Sequence, residues 1–194
     1  MTLSPAYIEN VLNGTQELKS SSTNHIPAGV LVLLFDRDGE YWVILNRRTQ
    51  KVEHHKGEIC FPGGRKDSLD KDLTETALRE TWEEMGIAPG SVSVLGVLDK
   101  TETTTGYEIT PTVGLIPYPY QFNTHNDEVE AVIEMPLSAL FLNDTRRDEA
   151  KLLEGEVIMQ PAFHYENNMI FGATARILNN FACLIDSRNL EERA

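Results

Sequence analysis

The stretch FPGGRKDSLDKDLTETALRETWEEMGI, from Phe61 to Ile87, decides the fold. Its apolar residues recur at helical spacing between Asp72 and Met85, and Asp72 with Glu75 forms a capping-box pattern at the start. Gly86 is a typical left-handed stop for a helix. The stretch therefore predicts a glycine-rich loop that leads into a helix ending at Gly86.

The carboxylates of Glu80, Glu83 and Glu84 are expected on one side of this helix, because residues three and four apart are neighbours. Like charges this close raise one another's pKa unless cations hold them ionised. Hard oxygen ligands of this kind suit Mg²⁺ or Mn²⁺ rather than zinc. A solvated acidic face is the plain alternative for the glutamates alone.

The paired glycines Gly63 and Gly64 favour the metal-site interpretation. Glycines let a backbone turn tightly, approach a ligand closely and offer carbonyl and N–H groups to a metal or a phosphate. A structural turn would explain two glycines, but it would not explain their combination with the three glutamates at this spacing.

The segment resembles the Nudix box, whose family pattern is Gly, five residues, Glu, seven residues, then Arg-Glu-U-x-Glu-Glu-x-Gly-U, with U apolar. The second half matches from Arg79 to Ile87, except that Thr81 occupies an apolar slot. In the first half, Lys71 stands where the family usually has Glu, and Arg65 where it has Gly. The loop carries one extra residue.

The longer loop resembles the coenzyme A pyrophosphatase-like branch, whose pattern FPGGxxDxxD is matched with Asp67 and Asp70 in the acidic slots. Upstream, Arg48-Thr49 and the run 55–64 are similar to that branch's Arg-Ser and His-x-Gly-x-x-x-Phe-Pro-Gly-Gly, although Glu53 stands where it usually has Arg. Four later segments are also similar to the branch: 106–114, 127–129, 135–137 and 171–175.

The resemblance implies an α/β fold, a Nudix-type α/β/α sandwich with a mixed β-sheet. It implies metal-dependent hydrolysis of a diphosphate bridge, with coenzyme A or acyl-CoA as leading substrate and phosphopantetheine and adenosine 3′,5′-bisphosphate as products. Alternatives are a Nudix hydrolase for ADP-ribose, dinucleotides or nucleoside triphosphates, and, in another class, a non-catalytic nucleotide-sensing module.

By the same resemblance, Glu80, Glu83 and Glu84 are metal ligands for Mg²⁺ or Mn²⁺, with the Gly64 carbonyl as an addition. Arg79 is expected to orient a glutamate rather than touch substrate. Glu83, Glu84 and Glu128 are all candidates for the general base, and Glu128 is equally well explained as an exposed loop acid.

A site for coenzyme A also needs cations for the 3′-phosphate. The densest basic patch in the chain comprises Arg47, Arg48, Lys51, His54, His55 and Lys56. A solvated loop is the alternative, and Glu53 within the patch weakens its field. Tyr107 is expected to stack on a base or to lie in the core, whereas Trp82 is expected in the core.

Composition limits the other classes of function. The 194 residues carry a formal net charge of -13, so nucleic acid and anionic membrane surfaces are unlikely partners, and a small nucleotide substrate needs local neutralisation. Cys60 and Cys183 match no zinc or disulfide pattern, which fits a cytoplasmic location. The N-terminus has no signal-peptide pattern, and no apolar run is long enough for a membrane span.

The chain divides into an N-terminal arm, residues 1–27, with a helix predicted at 4–18, and a Nudix domain, residues 28–194. A hairpin around Asp38-Gly39, three further strands between 91 and 136, and a short helix at 136–142 are predicted in order, followed by a hairpin before 172. A last helix at 173–186 is predicted to close the core or to form an oligomer interface around Phe181. The second alternative would make the protein a homodimer.

Overall fold

The computed structural model describes residues 4–13, 25–51, 55–124, 127–153 and 155–191, with side chains to residue 186. The α-helices are α1 Pro5–Asn13, α2 Leu73–Met85 and α3 Gly172–Glu191, with short 3₁₀ turns at Pro89–Ser91 and Leu137–Phe141. The strands are β1 Ile26–Arg37, β2 Glu40–Arg48, β3 Ile59–Cys60, β4 Gly63–Arg65, β5 Ser93–Val97, β6 Thr101–Glu102, β7 Tyr107–Leu115, β8 Val129–Pro136, β9 Arg146–Leu153, β10 Glu156–Tyr165 and β11 Asn168–Ile170.

A mixed sheet forms the middle layer. Its order is β3-β2-β1-β7-β5, with β4 paired to β1, β6 to β7 and β8 to β2. Strands β1 and β7 are parallel, whereas β1 and β2 form the predicted antiparallel hairpin, with Arg37 opposite Glu40 across the turn. Strand β1 is apolar throughout its centre because both of its faces are covered.

Alternate residues of β1 point into two separate cores. Leu31, Leu33 and Phe35 pack with Ala77 and Met85 of α2 on one side. On the other side, the residues between them join the core formed with the terminal helices, which includes Ile8, Val32, Leu34, Phe181 and Ile185. The predicted α/β/α sandwich with a mixed sheet is confirmed.

The terminal helices share one core. The helix predicted at 4–18 is observed at Pro5–Asn13, and the rest of that prediction lies outside the described residues. Phe181 is completely buried, so its part of α3 closes the core, and a homodimer stays a prediction. None of the described helices is long and apolar enough to span a membrane.

A second sheet, in the order β11-β10-β9, packs beside α3. The hairpin before residue 172 was predicted, but β9 was not. Its sequence RRDEAKLL is largely exposed and has no apolar alternation, so only its pairing with β10 makes it a strand.

Candidate functional site

Helix α2 begins and ends where the sequence predicts. The Asp72 carboxylate accepts a hydrogen bond from the Glu75 N–H at 2.9 Å, and Glu75 in turn accepts one from the Lys71 N–H at 2.6 Å, one residue earlier than a strict capping box. Gly86 takes the left-handed conformation with φ 71°, and its N–H donates to the Trp82 carbonyl. Both ends of the helix are therefore fixed.

The glutamates of α2 line a cavity of about 430 Å³ near the end of the helix. The lining residues are Glu80, Trp82, Glu83, Glu84, Gly86, Asn123 and Glu128. Glu128 comes from the chain just before β8, so the strand brings a fourth carboxylate to the three that share the helix.

Glu84 is the most deeply placed of these carboxylates, at 5% exposure. The Asn46 side-chain amide on β2 donates to Glu84 Oε2 at 3.1 Å. Burial, together with the negative charges of Glu128 and Glu80, raises the pKa of Glu84 to about 8, against the opposing pull of Arg48. A buried carboxylate in this setting is stabilised as an anion by a nearby cation.

Arg79 contacts three carboxylates of the region, those of Asp70, Glu80 and Glu83. Its Nε and Nη2 donate to both oxygens of Asp70 at 2.9 Å, and its Nη1 donates to Glu80 at 2.8 Å and to Glu83 at 3.1 Å. The hydrogen bonds from Arg79 hold the pKa of Asp70 well below its usual range. Burial raises the pKa of Glu80 despite the same guanidinium.

The donor chemistry at this site fits a divalent metal ion. A Cβ placed at Gly64 would lie 2.5 Å from Glu80 Cδ, so the absence of a side chain lets this carboxylate approach the loop backbone. Asn46 Oδ1 is buried without a hydrogen-bond partner beside Glu84. Carboxylate and amide oxygens are the ligands that Mg²⁺ and Mn²⁺ prefer.

Within the described part of the chain, no three Asp, Glu, His or Cys side chains are grouped closely enough to hold a metal ion as they stand. Arg79 draws Glu80 and Glu83 towards itself, while Asn46 engages Glu84. A metal ion at this site would therefore require the glutamate side chains to move closer together. The assignment of Glu80, Glu83, Glu84 and the Gly64 carbonyl as ligands stays a prediction.

The basic patch does not act as one surface. Arg47 donates to Asn168 on β11, Lys51 pairs with Asp127 at 2.9 Å, and His55 contacts Glu58 at 2.9 Å. Lys56 is exposed, and His54 with Glu53 lies outside the described residues. The patch is thus largely paired within the protein.

Arg48 differs from the rest of the patch. It lies opposite Val129, the residue next to Glu128 in the chain, where β2 pairs with β8, and its charge opposes the burial that raises the pKa of Glu84. Its Nε is buried without a hydrogen-bond partner.

The prediction that Trp82 lies in the core is wrong. Trp82 is 51% exposed and lines the cavity, because Thr81 and Met85 occupy the buried positions of this turn. Thr81 fits an apolar slot because its hydroxyl donates to the Ala77 carbonyl at 2.6 Å. Tyr107 is half-buried at the start of β7 and is not among the residues that line the cavity.

Three residues near the site were not predicted to contribute. Asp70 had a signal, since it occupies an acidic slot of the loop pattern, but its pairing with Arg79 joins residues on either side of a helix start. Asn46 and Asn123 carry no motif, and the fold alone brings them to the end of α2.

Comparisons with known proteins agree with this geometry. The NUDIX domain model matches residues 25–155. A Nudix hydrolase named NudL from Escherichia fergusonii is 34% identical over 87% of this chain and 88% of its own. A NudL from Cronobacter sakazakii is 39% identical over 71% of this chain and 73% of its own.

Among solved structures, a MutT/nudix family protein from Enterococcus faecalis is similar over 96% of this chain and 76% of its own, with a TM-score of 0.52 at 15% identity. RenU, a Nudix hydrolase from M. smegmatis, is similar over 59% of this chain and 72% of its own, with a TM-score of 0.50 at 18% identity. These likenesses support the fold.

Proposed function

Because the chain belongs to the Nudix hydrolase family, we propose that it hydrolyses the diphosphate bridge of coenzyme A or acyl-CoA, releasing phosphopantetheine and adenosine 3′,5′-bisphosphate. Family membership makes it a hydrolase of acid anhydrides that acts on nucleoside diphosphate derivatives, and Nudix hydrolases generally use divalent metal cations. The choice of coenzyme A, and of Mg²⁺ or Mn²⁺ as the ion, is the proposal.

The observation that carries the proposal is the convergence of Glu80, Glu83, Glu84 and Glu128 on one cavity. A diphosphate could not enter so negative a site without cations. Divalent ions bound there would neutralise the diphosphate and lower the pKa of the attacking water. Glu80, Glu83 and Glu84 would hold them, with the Gly64 carbonyl beside Glu80.

The remaining residues position the glutamates and accept the proton of the attacking water. Arg79 fixes the orientation of Glu80 and Glu83 through Nη1 and is itself anchored by Asp70. Water adds to one phosphorus, the bridging P–O bond breaks, and a carboxylate takes the proton of that water. We favour Glu128 for this proton, because Arg79 engages Glu83 and Asn46 engages Glu84.

Substitution can separate the candidates for the base. Glu128→Gln should lower kcat strongly while leaving metal affinity nearly unchanged, whereas Glu83→Gln should alter metal affinity as well. A Glu128→Gln enzyme with wild-type kcat would exclude Glu128 and return the role to Glu83 or Glu84.

Coenzyme A is supported by the loop pattern and by the cation beside the site. The loop FPGGRKDSLD resembles the coenzyme A pyrophosphatase-like branch, and its Asp70 anchors Arg79. Arg48, near Glu84, is the described basic residue best placed for a substrate phosphate, with Lys51, His55 and Lys56 further along the same loop. A cytoplasmic location belongs to this proposal, since Cys60 and Cys183 are free thiols.

The pairing within the basic patch favours a second substrate class. Because Lys51 and His55 already have acidic partners, little positive charge is left for a 3′-phosphate. ADP-ribose and dinucleotides lack that phosphate and would not need it. Such a substrate is the specific competitor to coenzyme A.

A substrate panel tests the proposal. Coenzyme A, acetyl-CoA, ADP-ribose, a diadenosine polyphosphate and ATP are each incubated with the protein and Mg²⁺ or Mn²⁺, and products are identified by mass. We expect the highest kcat/KM for coenzyme A or acetyl-CoA. Fast cleavage of ADP-ribose without turnover of coenzyme A would reject coenzyme A as the substrate. Tight nucleotide binding without any turnover would favour the non-catalytic sensing module.

A further inference from the structure

The two tryptophans of the chain have opposite surroundings. The Trp42 ring stacks with Phe35 at 6.3 Å between centroids, and the Arg37 guanidinium lies 4.4 Å above it. Trp82 is about half exposed at the cavity, and no described aromatic ring or cation stacks on it. An indole left open beside a ligand cavity offers a large flat surface.

The wall beside Trp82 is firmly built. The backbone N–H of Asn123 donates to the Met85 carbonyl at 2.9 Å, and a Cβ at Gly86 would lie 2.8 Å from Asn123 Cβ. The segment before Asn123 is also held, since the Ala88 N–H donates to the Tyr120 hydroxyl at 3.3 Å. Asn123 is therefore fixed against the end of α2, where it lines the cavity.

The lining of the cavity is divided by chemistry. Glu80, Glu83, Glu84 and Glu128 are the acidic side chains of the lining, whereas Trp82 and Asn123 are uncharged. A diphosphate with its cations suits the acidic part. The group joined to that diphosphate would meet an aromatic face and an amide that both donates and accepts hydrogen bonds, which suits a nucleobase.

We infer that Trp82 and Asn123 form a nucleobase subsite, in which the base of the substrate stacks on the Trp82 indole and its polar edge contacts the Asn123 amide. The inference rests on the proposed function, because it places the nucleoside of the substrate on the side of Gly86 when the diphosphate lies at Glu80 and Glu84. It makes Trp82 a specificity-determining residue.

Fluorescence provides a readout that does not depend on turnover. Trp42→Phe leaves Trp82 as the sole tryptophan of the chain, so quenching in that variant reports on the proposed subsite. The probe is α,β-methylene-ADP with Mg²⁺, whose bridge cannot be hydrolysed, and the matched control is methylenediphosphonate, which has the same bridge and no nucleoside. We expect saturable quenching by the first probe and none by the second.

Calorimetry with Trp82→Ala and Trp82→Phe in the otherwise unchanged chain gives the affinity. Stacking on an aromatic side chain contributes to affinity in proportion to the contact area. Trp82→Ala should therefore lower the affinity for α,β-methylene-ADP by at least about fivefold. Its affinity for methylenediphosphonate should not change, and Trp82→Phe should restore most of the nucleotide affinity. Asn123→Ala should lower the affinity for the nucleotide analogue less than Trp82→Ala does.

Equal affinity of the wild type and Trp82→Ala for α,β-methylene-ADP would overturn the inference. Loss of affinity for both probes in Trp82→Ala would also overturn the inference, since the side chain would then affect binding of the diphosphate part. Failure of coenzyme A hydrolysis is a separate outcome: a Trp82-dependent affinity for the nucleotide analogue would retain the subsite and reject only the proposed substrate.

Discussion

The buried carboxylates near the two ends of α2 have opposite electrostatic surroundings. Near the start, Asp70 accepts hydrogen bonds from Arg79, from the Thr76 hydroxyl and from the Asp67 N–H. Near the end, Glu84 accepts hydrogen bonds from the Asn46 amide and the Gly63 backbone, but it is buried among other glutamates whose charges oppose that of Arg48. The pKa of Asp70 is accordingly lowered, and that of Glu84 is raised.

Under the proposed function, this difference separates a residue that stabilises the fold from one that would bind a cation. Asp70 needs nothing beyond the protein, because its charge is matched by Arg79. Glu84 is desolvated without an equal match, a cost that proteins accept at functional sites. Removing each charge should therefore affect a different property of the enzyme.

The largest expected effect is on catalysis by Glu84→Gln. Loss of a ligand charge should lower kcat about a thousandfold, equivalent to ~4 kcal/mol of transition-state stabilisation. Urea unfolding of the metal-free protein should be little changed, because the neutral amide keeps the shape without the desolvated charge. A Glu84→Gln enzyme with wild-type turnover would contradict its role.

Asp70→Asn should produce the reverse pattern, with its main effect on stability. Breaking the bidentate pair leaves the guanidinium without its strongest partner, at a cost of about 2 to 3 kcal/mol in the free energy of unfolding, since Arg79 remains partly exposed. The control is Asp127→Asn, which removes an exposed pair with Lys51 and should change the urea midpoint little. Equal midpoints for the two variants would refute the distinction.

Gly64→Ala tests the contact between the loop and Glu80. The added Cβ would fall 2.5 Å from Glu80 Cδ, so the carboxylate must move, and kcat should fall about tenfold. Gly90→Ala is the matched control, because nothing lies within 4 Å of its added Cβ. Similar kcat values for both variants would show that the close approach at Gly64 has no role in catalysis.

The smallest expected effect is a pH dependence of stability. Because the folded pKa of Asp70 lies below its unfolded value, its contribution is present above about pH 4 and declines as the pH falls below that value. The stability difference between the wild type and Asp70→Asn should therefore shrink between pH 5 and pH 3, as followed by urea unfolding at each pH. A difference that stays constant over this range would exclude the Asp70 charge as its source.

Local patterns in the sequence predicted much of the fold. The hairpin of β1 and β2, the ends of α2 and membership of the Nudix family are confirmed. Each depends on residues close together in the chain: turn residues, helical periodicity or a contiguous motif. The roles of the site residues stay predictions.

Features that depend on distant pairing were not predicted. Glu84 meets Asn46 across 38 positions, and Asp70 meets Arg79 over the start of a helix. The prediction of a buried Trp82 is wrong because its turn of α2 gives the inner positions to Thr81 and Met85. A motif identifies the glutamates, whereas only the fold shows what surrounds each of them.

Calorimetric titration with Mn²⁺ tests the central claim most directly, using the wild type, Glu84→Gln and Asp70→Asn under conditions where all three are folded. The wild type should bind Mn²⁺, Asp70→Asn should retain most of that affinity, and Glu84→Gln should lose it by at least about tenfold. Equal Mn²⁺ affinity for the wild type and Glu84→Gln would contradict the claim that Glu84 is held ready for a cation.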